Sequence, residues 1–255
     1  MSRVAPVWLV LAGLMPVGAH AERLVVTLSS ERVAISSNFT GTDVAMFGII
    51  ERDAQSVARS GNYDVVVTLR GPREAITIRR KAALGPIWIN RDQQKFVAVP
   101  ALLAVYANRP LAGIVDEPLQ RRNGVGIAAV IGGSDFTYER GEADDAFKAA
   151  LVRLRARDNL YVERGRGVEF VTDTAFRVRI PLPATAPLGD YDIEASLIAG
   201  GTVLTRENAR FTVMKAGIEE DITALARDHA LLYGLATAAI ALAFGWIASV
   251  IFRRD

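Results

Sequence analysis

An uncharged run of 22 residues, Leu231 to Phe252, constrains this chain more than any other feature. At 1.5 Å per residue it makes a helix of about 33 Å, enough to cross a hydrocarbon layer of ~30 Å. Such a run is either a membrane span or a helix buried in a soluble core. The flanks favour the span. Arg227, Asp228 and His229 precede it, and Arg253, Arg254 and Asp255 follow it. An arginine pair after a span marks that end as cytoplasmic. Tyr233 and Trp246 are the aromatic residues available for the membrane interface, with Trp246 rather deep for that role.

The opposite end reads as a secretory signal peptide. Arg3 is its positive residue, and Val7–Val17 is apolar but short for a span. Pro16 and Gly18 break the helix, and Ala19-His20-Ala21 has the small-x-small form cut by signal peptidase before Glu22. The expected organisation is a signal peptide (1–21), an N-terminal β-sandwich region (22–140), an amphipathic helix (141–158), a C-terminal β region (159–217), a juxtamembrane helix (218–230), a transmembrane helix (231–252) and a cytoplasmic tail (253–255). The protein is expected in a bacterial inner membrane, single-pass, with its N-terminus periplasmic. The short tail leaves almost nothing inside to act as a kinase or DNA-binding head.

Composition excludes several functions. The chain has no cysteine, so disulfides, thiolate nucleophiles and zinc–thiolate sites are ruled out. Lys+Arg of 30 against Asp+Glu of 28 gives 30 − 28 = +2, too little net charge to attract nucleic acid. Cleavage would leave His229 as the remaining histidine, at the membrane boundary, so neither a histidine-based metal site nor a Ser-His-Asp triad is expected. No cofactor is expected.

Between the two ends the periodicity is mostly that of β-strands. Leu24–Leu28, Val33–Ile35, Val44–Ile50, Tyr63–Leu69, Ala75–Ile78 and Pro86–Ile89 are short apolar or β-branched runs broken by Gly, Pro, Ser and Asn. Val97–Ala107 fits a strand or a helix. Phe147, Ala150, Leu151 and Leu154 then recur at helical spacing from Asp144 to Arg157, with acids at the start and arginines at the end. Alternation returns over Phe176–Ile180, and Gly200-Gly201 predicts a hairpin turn between Tyr191–Ile198 and Val203–Thr205, followed by Arg210–Met214. The fold class is mainly β: an immunoglobulin-like sandwich, one large or two packed units, with one amphipathic helix and a C-terminal transmembrane helix. Tyr191, in Pro187-Leu188-Gly189-Asp190-Tyr191, is placed at a sheet corner.

Few residues carry chemistry. Asp144-Asp145 and Glu219-Glu220 lie near helix starts, where acids belong. Gly124-x-Gly126 and Gly165-x-Gly167 read as turns. Trp88, in Gly85-Pro86-Ile87-Trp88-Ile89-Asn90, is expected to fill the sandwich core; the other reading makes Trp88 and Asn90 a binding anchor. Arg79, Arg80, Lys81, Arg121 and Arg122 read as a solvated strand edge, or else gather an anion or lipid headgroups. In the span, Gly234, Ala238, Ala241, Gly245 and Ala248 form a small-residue seam suited to helix packing.

These blocks together resemble the alphaproteobacterial putative transmembrane protein family. The resemblance rests on Phe176-Arg177 leading to Ile180-Pro181-Leu182-Pro183, on Pro187-x-Gly189-x-Tyr191, and on Lys215-x-Gly217-x-Glu219. It continues through Leu231-Leu232-Tyr233-Gly234-Leu235, Gly245-Trp246 and Phe252-Arg253-Arg254. Upstream, Phe39-x-Gly41, Phe47-Gly48, Arg70-Gly71-Pro72 and Trp88-x-Asn90 belong to it, and Ala175 stands where a Leu is expected. The resemblance implies a signal-bearing, single-span envelope protein of an alphaproteobacterium, associated with exporters of sulfite-like anions, and carries over no catalytic residue. The expected function is a non-enzymatic accessory or assembly partner of an inner-membrane complex, with an integral membrane protein or a second copy meeting the span. The alternatives are a periplasmic carboxylate-dependent hydrolase and a solute-binding module feeding a permease.

Overall fold

The computed structural model describes residues 22–36, 39–51, 63–133, 145–215, 226–227 and 229–251. The expected signal peptide and cytoplasmic tail lie outside these residues, as does most of the juxtamembrane segment.

Strict alternation builds the first sheet. In β10 (Ala175–Pro183) Phe176, Val178, Ile180 and Leu182 are buried while Arg177, Arg179 and Pro181 face out. Strand β10 pairs antiparallel with β3 (Gly41–Glu51), which pairs with β1 (Arg23–Leu28); β9 (Val168–Phe170) closes the other edge. Strand β9 reaches only as far as Val178, so Pro181, which lacks an N–H, sits where no donor is needed on that side.

The second sheet runs β2 (Arg32–Ile35), β12 (Thr202–Lys215), β11 (Gly189–Ala199), β4 (Asp64–Arg70), β7 (Leu103–Ala107) and β8 (Tyr161–Arg164), in that order. Its middle strands, β4 (Asp64–Arg70) and β7 (Leu103–Ala107), are buried at nearly every position. A near-continuous apolar run such as Val65-Val66-Val67 marks a strand covered on both faces. Residues of both sheets share one hydrophobic core. Helix α2 (Ile127–Gly132) contacts β7 and β8 (Tyr161–Arg164), and α3 (Asp145–Arg157) contacts β8 and α2. Strands β7 and β8 are parallel and therefore need a long crossover, which α1 (Glu117–Asn123), α2 and α3 supply. Strands β11 (Gly189–Ala199) and β12 (Thr202–Lys215) form the expected hairpin, with Gly200 and Gly201 at φ of 56° and 78°. Strand β2 (Arg32–Ile35) lies parallel to β12.

The strand pairing crosses the helical segment in both sheets. Strand β10 joins β3, and β11 joins β4, so both sheets draw strands from each side of the helices. Tyr191 is fully buried, stacks on Phe211 with ring centroids 5.0 Å apart, and donates its hydroxyl to the Pro187 carbonyl at 2.7 Å.

Val97–Ala107, which fits a strand or a helix by pattern, is strand, in two segments divided at Ala101-Leu102 between β6 (Ile87–Pro100) and β7. Two expectations need correction. The 117–132 stretch, read as part of a β region, holds α1 and α2. Trp88 is not in the core: it is 71% exposed, near the turn between β5 (Arg73–Leu84) and β6. The core is filled instead by Phe96, Tyr106, Phe176, Tyr191 and Phe211.

The C-terminal run forms α4 (Ala230–Ile251), 22 residues of unbroken backbone helix without a charged side chain. Among the described residues no helix is long and apolar enough to cross a membrane; the side chains of Leu232, Val250 and Ile251 lie outside them.

Candidate functional site

Three sets of surface residues stand out. The first is a cleft of about 930 Å³ formed by β4, β5, β11, β12 and α1. The outward residues of β11 supply Asp190, Asp192 and Glu194; β12 supplies Arg206 and Arg210; β4 and β5 add Arg70 and Arg73; α1 adds Arg121 and Arg122. Six arginines thus face three carboxylates. Each carboxylate is already engaged. Arg210 Nε donates to Asp192 at 2.7 Å, the Thr212 hydroxyl donates to Asp190 at 2.7 Å, and Glu194 meets Arg70 at 3.4 Å and Arg206 at 3.6 Å. Arg206 also donates to the Asn123 carbonyl at 2.7 Å, tying the end of α1 to the sheet. Pairing with Asp192 raises the Arg210 pKa further above its ordinary value.

Helix α1 places Arg121 and Arg122 in its last turn, where cations match the helix dipole. Asp116 occupies its N-cap, Pro118 lies in its first turn, and Gly124 ends it in the left-handed conformation at φ 65°. That sequence of acid, proline, arginines and glycine is a helix signature. The signature lies in the sequence, but the two arginines read there as a strand edge because the helix is only 7 residues long. The contributions of Arg70, Arg73, Arg206 and Arg210 had no comparable signal, because they come from strands far apart in the chain.

The second surface is the β5–β6 hairpin, with arms of 12 and 14 residues. Its base is part of the core through Ile78, Phe96 and Val99. Glu74 pairs with Arg155 of α3, and the Arg80 guanidinium lies 4.8 Å from the Phe147 ring centre. Beyond Ile78 the hairpin is exposed except at half-buried Ala82 and Gln94. Trp88 and Asn90 are both on its distal part, and the cross-strand partner of Asn90 is Lys81. The hairpin therefore gathers Trp88, Asn90, Arg79, Arg80 and Lys81, whereas Arg121 and Arg122 belong to the cleft.

Helix α4 carries the third set. Leu231, Leu235, Ile240, Leu242, Phe244, Trp246 and Ile247 are exposed, as are Gly234, Ala238, Ala241, Gly245 and Ala248. A Cβ added at Gly234 or Gly245 would meet nothing within 4 Å. Among the described residues, no group of three or more His, Asp or Glu could hold a metal ion.

Helix α4 thus exposes an apolar surface, in contrast to the shared buried core of the two sheets. The chain belongs to the Alph_Pro_TM family, described as putative transmembrane protein, which matches residues 23–254. No curated protein matches it.

Proposed function

We propose that this chain is a non-enzymatic accessory or assembly partner of an inner-membrane complex, with an immunoglobulin-like module held in the periplasm by α4. The observation that carries the tether is the contrast between α4 and the rest of the molecule. The β module encloses most of its large apolar residues in one core and exposes the rest on strands and turns, whereas α4 leaves a continuous row of them uncovered along a helix of 22 uncharged residues. Side chains of that kind are stable in lipid and costly in water. The strand orders β1-β3-β10-β9 and β2-β12-β11-β4-β7-β8 support the immunoglobulin-like reading, as does the Tyr191 corner.

Orientation is tested by fusing a reporter active only in the periplasm after Gly217 and, separately, after Asp255. The first fusion should be active and the second silent; activity of the second rejects the span or its direction. The accessory role is tested by purification in mild detergent, which should recover a membrane protein in stoichiometric amount. Recovery of the chain alone, together with turnover on a substrate panel, supports an enzyme instead.

The cleft favours a second reading, a module that presents an anion to a permease. Its arginine excess and open 930 Å³ suit a small oxyanion held by guanidinium groups. Calorimetric titration with sulfite and sulfate, with Arg73→Ala and Arg122→Ala as controls, tests it. Absence of heat with the intact protein rejects it.

A further inference from the structure

The distal part of the β5–β6 hairpin is apolar on both faces. Alternation along the strands puts the cross-strand pairs Leu84–Ile87 and Ala82–Ile89 on one face, and Ala83–Trp88 on the other. Leu84, Ile87, Trp88 and Ile89 are all exposed. Gly85 and Pro86 form the turn, and a Cβ at Gly85 would meet nothing within 4 Å. A protein partner that docks on a sheet covers one face of it. Apolar groups on both faces of a protruding tip match a medium that surrounds it.

The charges are placed to fit one such medium. Lys81, opposite Asn90, lies three residues behind Leu84, and Arg79, opposite Gln93, lies two further back. Arg91 occupies the irregularity in register between them. At ~3.4 Å per residue, Lys81 stands about 10 Å from the turn. That is close to the ~5–10 Å depth at which interfacial elements leave the acyl region and meet the headgroups. Arg80 and Asp92 face each other at 3.9 Å, so the acid of this segment is offset within it. Trp is favoured at the same boundary, where its ring is apolar and its N–H finds water or phosphate.

We propose that the hairpin tip, Leu84 to Ile89, enters the surface of an anionic bilayer, with Arg79, Lys81 and Arg91 against the lipid phosphates. Entry is shallow, because the outer edges of a two-stranded hairpin carry backbone N–H and C=O groups that the hydrocarbon interior cannot satisfy. The proposal rests on the tethered reading of α4: a module held at a membrane presents the tip to that surface at high effective concentration. The hairpin then acts as a second foothold, which limits how the module rotates about its tether.

The test uses the full chain in vesicles of phosphatidylcholine and phosphatidylglycerol in equal parts, some carrying acyl chains brominated near the headgroup. The protein contains three tryptophans, Trp8, Trp88 and Trp246. Trp8→Phe with Trp246→Phe leaves Trp88 as the reporter; Trp8→Phe with Trp88→Phe leaves Trp246. Trp88 should emit to the blue of its value in detergent-free buffer, be quenched by the brominated lipid and be shielded from iodide. Arg79→Glu, Lys81→Glu and Arg91→Glu together should abolish that quenching while leaving the Trp246 signal unchanged. Quenching of Trp88 by iodide but not by brominated lipid overturns the proposal, and shielding from both overturns it in favour of a protein contact. Quenching that survives the triple charge reversal overturns the role of the phosphates. If Trp246 is quenched by brominated lipid and Trp88 is not, the tether stands and the hairpin proposal fails; if neither is quenched, both fail.

Discussion

Tyr106 and Tyr161 are buried phenols of the second sheet, and burial raises the pKa of each to about 12. Tyr161 donates to the Pro100 carbonyl at 2.8 Å, a bond that ionisation would destroy. A folded-state pKa above the unfolded value of ~10 means that the unfolded chain loses its proton first as pH rises. The associated stability is complete below pH ~10 and falls away between ~10 and 12. The urea midpoint should drop across that window, and Tyr161→Phe should make the drop shallower. Gly48 is a second sensitive residue. It faces Phe176 across the β3–β10 pair, and a Cβ there would sit 2.1 Å from the ring's Cζ. Gly48→Ala should therefore cost about 1–3 kcal/mol in denaturant unfolding, because the ring is fully enclosed and has to shift. Trp88→Ala removes an exposed side chain and should change stability by no more than ~0.5 kcal/mol. A large drop in melting temperature would contradict the exposed position.

Among the elements, α4 leaves nearly all of its described side chains exposed. Its small residues, Gly234, Ala238, Ala241, Gly245 and Ala248, recur at intervals of four, three, four and three. Helices in lipid associate by close backbone packing, which such residues permit. We therefore expect Gly245→Leu with Ala241→Leu to fill the seam and reduce recovery of the membrane partner or of a second copy in detergent. Unchanged insertion with unchanged recovery would leave α4 as a tether only. The buried Asp64 at the start of β4 is an opposite case, a charge held inside by design of its neighbours. Arg109 meets both its oxygens at 2.6 Å, and Asn108 donates at 3.0 Å. Asp64→Ala should destabilise by roughly 1–3 kcal/mol, since it leaves those donors without their acceptor. Arg109 is half exposed, which keeps the loss at the lower end.

For the whole molecule, interleaving of strands has a direct consequence. Strands β1 to β4 cannot close either sheet without β10 to β12. Residues 22–140 expressed alone should therefore lack cooperative unfolding and dispersed amide signals, and co-expression with 141–255 should restore them. A folded 22–140 fragment would show that the two regions are separable after all. Local pattern was enough to place most individual strands. Phe176 to Leu182 alternates, Gly200-Gly201 can turn only as it does, and Asp144–Arg157 has a helical stripe; each depends on contacts within one element. The uncharged length of Leu231–Phe252 was likewise a property of the chain alone. Trp88 was misplaced because a tryptophan between apolar neighbours has the same local pattern in a core strand and in an exposed hairpin. Only the pairing of β5 with β6 puts it beyond the packed base. The arginine cleft was invisible for a related reason: Arg70, Arg122 and Arg210 are brought together by strand order, and strand order is decided by long-range pairing, which no local period encodes.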